Sequence, residues 1–283
     1  MDGIRRRDLH ILKYCSSFVS ISEGKVFYIT DPKVNPCPLA KRLYKEIFYG
    51  NKDKDKIKSG IKRVIEFKIK EYGFFTANRN FDICETQIPY GASEVLMLAL
   101  RNKIIDAAVV VCDGAGTVIS DSAGIVQGIG ARMHNIIMTS PILKTIGKLK
   151  AAGCHILTGN GMIDQFSGVR KAAQIGYKRI GVTVDAYSAQ DLDRLKDLEK
   201  QYGLKVISLV ICTTGVKAEI AEKMKQYADF VWSCLSDEVR VLIAPFAKLR
   251  LSRLMPVLVL TDSGVNLATS IFSKNKRMKN YGS

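Results

Sequence analysis

The chain has 283 residues, 47% hydrophobic and 25% charged, which suits one large globular domain or two smaller ones and excludes a disordered or fibrous polymer. No apolar run approaches the roughly 18 residues that a membrane-crossing helix needs. The net charge of +16 fits an anionic partner, or simply solvated lysine-rich faces.

Arg5-Arg6-Arg7 imitates the start of a signal peptide, but His10, Lys13 and several serines interrupt the apolar stretch that a signal peptide would need next. With no cleavage site in view, the chain reads as a mature cytosolic start. Phe18–Ser22 and Lys25–Ile29 alternate around Glu23-Gly24, broken at Phe27-Tyr28, and predict a hairpin. Pro32, Pro36 and Pro38 precede a helical stretch over 39–49. A charged loop or helix start over 51–58 leads to a second helix over 61–72, where Ile61, Val64, Ile65 and Ile69 share a face.

Beyond Pro89 the rhythm changes. A helix over 92–101 leads into Val109-Val110-Val111, a β-branched run that reads as a buried strand. Further strand-length segments lie at 155–157, 180–184, 206–211, 229–234 and 256–261. Helical patterns separate most of them, over 164–175, 189–202, 216–226 and 238–249. The alternation predicts an α/β fold with a mainly parallel sheet flanked by helices, and an N-terminal hairpin-plus-helices portion. The expected division is 1–89 for that portion, with its basic helices, and 90–283 for the α/β core with a basic C-terminal tail.

The candidate chemistry sits at strand ends, where open α/β sheets bind ligands. Asp113 and Cys112 are the catalytic candidates. Gly114, Gly116 and Thr117, together with Thr213, Thr214 and Gly215, are the ligand-binding candidates, expected to line one anion-binding cleft of hydroxyls and glycine amides. Each also reads as a helix cap or a tight turn. Ser93-Glu94 is explained as a helix start and is carried among the ligand-binding candidates. Asp113-Gly114-Ala115-Gly116-Thr117 differs from the DxDGT of haloacid dehalogenase-like phosphotransferases, because Ala115 replaces the second acid that would protonate a leaving group. Gly128-Ile129-Gly130 lacks the third glycine of a dinucleotide fingerprint.

Seven widely spaced cysteines without a CxxC pair fit a reducing, cytoplasmic compartment. Segments 41–71 and 248–283 each carry a net +6, so twelve of the sixteen surplus charges flank a nearly balanced centre. An acidic protein partner is expected there. No nucleic-acid-reading motif is present, so any such binding should be sequence-indifferent and steeply salt-dependent.

Taken as strings, Tyr90–Glu94, Cys112–Ile119, Val126–Arg132, Thr139–Ile142, Asp164-Gln165 with Gly168–Arg170, Gly176–Ile180 and Thr213–Gly215 resemble, in that order, the methanogenesis marker protein 8 family. The similarity runs over roughly 37–261. It implies a cytosolic protein of methane-metabolising archaea with no established reaction. Such markers travel with methyl-coenzyme M reductase, so the resemblance implies a partner in that enzyme or its assembly factors. The role implied is assembly, modification or activation of the reductase or of a pathway cofactor. The alternative is a small-molecule enzyme acting on a phosphorylated or carboxylated substrate at the Asp113 strand end. No cofactor is named by the residues and no metal site is assigned. Were a metal bound, Cys37 (in Pro36-Cys37-Pro38-Leu39), Cys112 and Cys234, whose surroundings also resemble that family, would be its ligands; His155, in Gly153-Cys154-His155, departs from the resemblance.

Overall fold

The structure is a computed structural model that describes residues 8–14, 16–32, 45, 53–82, 85–88, 90–253 and 255–272. The helix expected over 39–49, apart from Lys45, and Cys37 lie outside the described residues, as does the tail beyond 272. The chain forms two compact units. One comprises Met1–Asn80, Val111–Val118 and His134–Ile163; the other comprises Phe81–Val110, Ile119–Met133 and Asp164–Ser283.

In the first unit, β1 (His10–Tyr14), β2 (Ser17–Ser22) and β3 (Lys25–Ile29) join β6 (Asn135–Thr139) in an antiparallel sheet of order β3-β2-β1-β6. The expected hairpin is β2–β3. Glu23 and Gly24 both take positive φ, 50° and 68°, the twist that a two-residue hairpin turn requires. A register shift pairs Ser20 with Tyr28 and Ile21 with Val26, leaving Phe27 as the extra residue of a bulge. The Phe27-Tyr28 break in alternation is that bulge. The polar residues that seemed to interrupt the N-terminal segment are strand periodicity: His10, Leu12 and Tyr14 are buried while Ile11 and Lys13 are half-buried.

Helix α1 (Lys54–Tyr72) is capped by Asp53, whose side chain accepts from the amides of Asp55 and Lys56. It ends at Gly73, whose φ of 66° suits a left-handed C-cap. Its buried stripe, Ile57, Ile61, Val64 and Ile65, packs in this unit, where the helix lies against β3.

In the second unit α2 (Ala92–Arg101) precedes β4 (Ala107–Cys112), whose last two residues belong to the first unit. A turn at 113–115 returns the chain along β5 (Gly116–Ser120). That three-residue connection is open only to antiparallel neighbours, so Asp113 lies in a hairpin turn and not at a strand-to-helix crossover. Helix α3 (Ala123–Gly130), then α4 (Leu143–Ala151) and β7 (His155–Ile156) come next in the chain. Gly128 and Gly130 lie in α3. A Cβ on Gly128 would come within 2.1 Å of the Phe81 carbonyl oxygen, so close packing accounts for that glycine.

The remainder alternates: α5 (Gln165–Ile175), β8 (Arg179–Asp185), α6 (Asp193–Tyr202), β9 (Lys205–Ile211), α7 (Ala218–Tyr227) and β10 (Phe230–Trp232). β4, β8, β9 and β10 are parallel neighbours at the centre of an eight-stranded sheet of order β11-β12-β10-β9-β8-β4-β5-β7. Their apolar residues, such as Val109, Val182 and Val210, are fully buried, as parallel strands covered on both faces must be. The helix expected over 238–249 is corrected. A π turn at Val239–Ile243 gives way to a 3₁₀ turn at Ala244–Phe246, where Pro245 lacks the amide a helix needs. The chain then enters β11 (Leu249–Leu251), β12 (Val257–Val259) and α8 (Asp262–Phe272). Among the described residues no helix is long and apolar enough to cross a membrane.

Candidate functional site

The turn after β4 is held by a buried ion pair that sequence reading did not anticipate. Asp113 and Arg79 are both fully buried, and Arg79 Nε donates to Asp113 Oδ1 at 2.9 Å. The other oxygen, Oδ2, accepts from the amide of Phe75 at 2.6 Å. Phe75 sits at φ 60°, a left-handed conformation uncommon for a bulky side chain. The Arg79 guanidinium lies 4.1 Å over the Phe74 ring and also donates to the Asn80 carbonyl. Helix α4 braces the same 73–80 loop: Thr145 Oγ1 donates to the Thr76 carbonyl at 3.2 Å, and Lys148 Nζ to that of Arg79 at 2.8 Å.

The network continues from the turn to the antiparallel sheet. The Gly114 amide donates to Thr139 Oγ1 at 2.7 Å, and that hydroxyl lies 2.7 Å from His10 Nδ1. His10 Nε2 is 3.6 Å from Asp8 Oδ2. Burial holds the His10 imidazole below its ordinary value, against the opposing pull of Asp8 and Asp113, so the ring is neutral near pH 7.

The other predicted members of this turn are also engaged within the unit. Gly116 has φ 77°, and a Cβ there would come within 2.2 Å of the Met162 carbonyl oxygen. The Thr117 amide donates to that same oxygen at 2.9 Å. Cys112 is buried, with Sγ 3.3 Å from the Asp113 carbonyl. Burial first, then the Asp113 charge, pushes its thiol well above the ordinary value, which keeps it protonated and unreactive.

The second unit holds the remaining candidates. Thr213 is buried and its Oγ1 donates to the Trp232 carbonyl at 2.7 Å; Thr214 Oγ1 accepts from the Leu235 amide at 3.3 Å. Gly215, at φ 76°, is exposed. Glu94 is buried at the start of α2, and its Oε1 accepts from the Gln87 amide and Gln127 Nε2, both at 3.0 Å. Ser93 Oγ donates to Glu94 Oε2 at 3.0 Å. The structure thus brings Cys112, Asp113, Gly114, Gly116 and Thr117 together in one unit, and places Ser93, Glu94, Thr213, Thr214 and Gly215 in the other. Cys234 lies in the second unit, half-buried at φ 46°. Among the described residues no group of three or more His, Cys, Asp or Glu side chains is arranged to hold a metal ion.

Residues 10–272 match the family described as an uncharacterized protein conserved in archaea, DUF2099. The chain belongs to this family. It is also similar to the uncharacterized protein MJ0054 of Methanocaldococcus jannaschii, with 38% identity over 261 residues that cover 91% of this chain and 88% of the relative.

Two features of this DUF2099 chain lay beyond sequence reading. Arg79 is 34 positions from Asp113, and only the left-handed turns at Gly73 and Phe75 bring it there. Lys68 is buried in α1, with Nζ 2.6 Å from His134 Nε2 and 5.7 Å from the centre of the Tyr14 ring, which lies tilted by 32° against His134 with ring centres 3.9 Å apart. Burial and the Lys68 charge drive His134 well below its ordinary value, so its imidazole is neutral and accepts from the ammonium. The one available signal for this contact was a lysine within the otherwise apolar stripe of α1.

Proposed function

We propose that this DUF2099 protein is a cytoplasmic accessory protein of methane metabolism, acting by binding and not by turnover. Its proposed partner is methyl-coenzyme M reductase or that enzyme's assembly factors. The observation that carries the binding reading is the Asp113 turn. Both carboxylate oxygens and the amides of Gly114 and Thr117 are engaged internally, and the neighbouring thiol is protonated. A motif so occupied anchors chain segments; it offers no group to a substrate. The methanogen relative supports the pathway, as does the resemblance to methanogenesis marker protein 8. The net positive charge of segments 41–71 and 248–283 supports an acidic protein as partner.

The test is a titration of the purified chain into purified methyl-coenzyme M reductase and its assembly complex at two salt concentrations. Saturable binding that weakens as salt rises is expected. Charge reversal at Lys56, Lys62 and Arg63, exposed on α1, should weaken it further. No association at low salt overturns the partner. A phosphorylated or carboxylated metabolite converted by the chain, with conversion lost in Asp113→Asn, overturns the binding reading.

A further inference from the structure

The antiparallel sheet of the first unit has two unlike faces. One is core: Leu12, Tyr14, Val19, Ile21 and Val26 are buried. The other is open, with Tyr28 58%, Phe18 39% and Met138 38% exposed. Register sets this face out in two rows. Tyr28, Ser20, Ile11 and Met138 stand side by side across β3, β2, β1 and β6, with Ser20 and Ile11 half-buried; Phe18 and the half-buried Lys13 form the next row across β2 and β1, which closes at the buried Asn135 of β6. Two exposed aromatic rings therefore lie on adjacent strands, diagonal neighbours about 7–8 Å apart at the backbone, and Lys13 stands directly opposite Phe18. The four strands contain two lysines, Lys13 and Lys25, and no Asp or Glu.

We infer that this open face binds single-stranded nucleic acid, with bases stacked on Tyr28 and Phe18 and phosphates drawn to Lys13 and the surrounding positive field. Exposed aromatic rings beside a lysine, on strands whose own residues include no carboxylate, match a ligand that combines exposed π-faces with negative charge. A duplex keeps its bases stacked internally and offers the face only phosphates. An acidic protein would use the lysine and leave the rings unmatched. A second copy would bring one +16 chain against another. The sequence hides this arrangement because Lys13 and Phe18 are five residues apart and become neighbours only through strand pairing. This inference does not rest on the partner proposed above.

The experiment measures binding of labelled single-stranded RNA and DNA of about 12 nucleotides, and of a duplex of equal length, by fluorescence anisotropy. The single strand should bind more tightly than the duplex at physiological salt. Tyr28→Ala and Phe18→Ala should each weaken single-strand binding between about fivefold and a hundredfold, and leave duplex binding unchanged. Both side chains are exposed, so unchanged thermal unfolding confirms that the variants fold. Lys13→Gln should lower the salt slope by about one. RNA and DNA arms distinguish which strand is preferred, and either supports the inference. Aromatic variants that bind like the parent overturn it, as does a duplex bound as tightly as the single strand. Loss of reductase binding in those variants, with single-strand binding intact, would make the face a protein-docking surface and also overturn it.

Discussion

Each unit buries an aspartate, and the two are satisfied in different ways. Asp113, in the first, is paired with the Arg79 guanidinium and the Phe75 amide. Asp229, in the second, has no cation in hydrogen-bond contact among the described residues; its Oδ2 accepts from the Ser208 amide at 2.9 Å and the Ser208 hydroxyl at 3.1 Å, and its Oδ1 from the Thr261 hydroxyl. Burial pushes the Asp229 carboxyl up, and the hydrogen bonds from Thr261 and Ser208 only partly oppose it. Hydroxyl partners can turn to suit a neutral side chain, whereas a buried guanidinium cannot give up its charge. The first arrangement therefore depends on both partners being present, and the second does not.

Breaking the ion pair is the largest test of that contrast. Arg79→Met leaves a carboxylate buried without its cation and should cost about 3–5 kcal/mol by denaturant unfolding. Adding Asp113→Asn to the same chain should restore part of the loss, since the pair is coupled and its members are not additive. A loss below about 1 kcal/mol in Arg79→Met would mean that the Phe75 amide alone holds the turn.

The same contrast marks how far the sequence could be read. The parallel strands and the β2–β3 hairpin were legible because β-branched runs and a Glu-Gly turn carry local physics. Asp113 was found for its placement after an apolar strand, but its partner was not, because pairing across 34 residues is set by two left-handed turns and not by composition. β1 was missed because an inward histidine and an outward lysine disguise its alternation. β5 was missed because a glycine-rich turn after an apolar strand reads equally as a ligand loop. Ser93-Glu94 reads as a helix start, and Glu94 exceeds that reading, because its carboxylate also gathers the 85–88 segment and Gln127.

Histidine sharpens the comparison through pH. His134 and His10 both have folded values below that of the unfolded chain, so the unfolded state takes up protons that the native state refuses. Their contribution is fully present above the unfolded value near 6.5 and is lost as pH falls below it. Each group adds a slope approaching about 1.4 kcal/mol per pH unit. His134→Gln keeps an acceptor for Lys68 but cannot titrate. Its stability should fall less steeply than the parent's between pH 7.5 and 5.5, with His10 supplying the slope that remains. Parallel curves for parent and variant would show that His134 is not held neutral.

Asp229→Asn should produce the smallest change. A carboxyl raised in the folded state adds stability that is complete below its unfolded value near 3.9 and is lost as pH rises through the folded one. Wherever the native carboxyl is ionised it is a buried charge, and asparagine removes that cost. The asparagine carbonyl can still accept from the Ser208 amide and hydroxyl. Its NH₂ then faces Thr261, whose hydroxyl can turn to accept while still receiving the Gly264 amide on its second lone pair. The two effects oppose each other, and unfolding at pH 7 should change by no more than about 1 kcal/mol in either direction. The variant should also lose the gain in stability that the parent shows as pH falls through the raised folded value toward the unfolded one near 3.9. If Asp229→Asn instead costs as much as Arg79→Met, the carboxylate charge itself holds Ser208 and Thr261 together. The two aspartates would then be alike, and the distinction drawn between paired and hydroxyl-satisfied acids would fail.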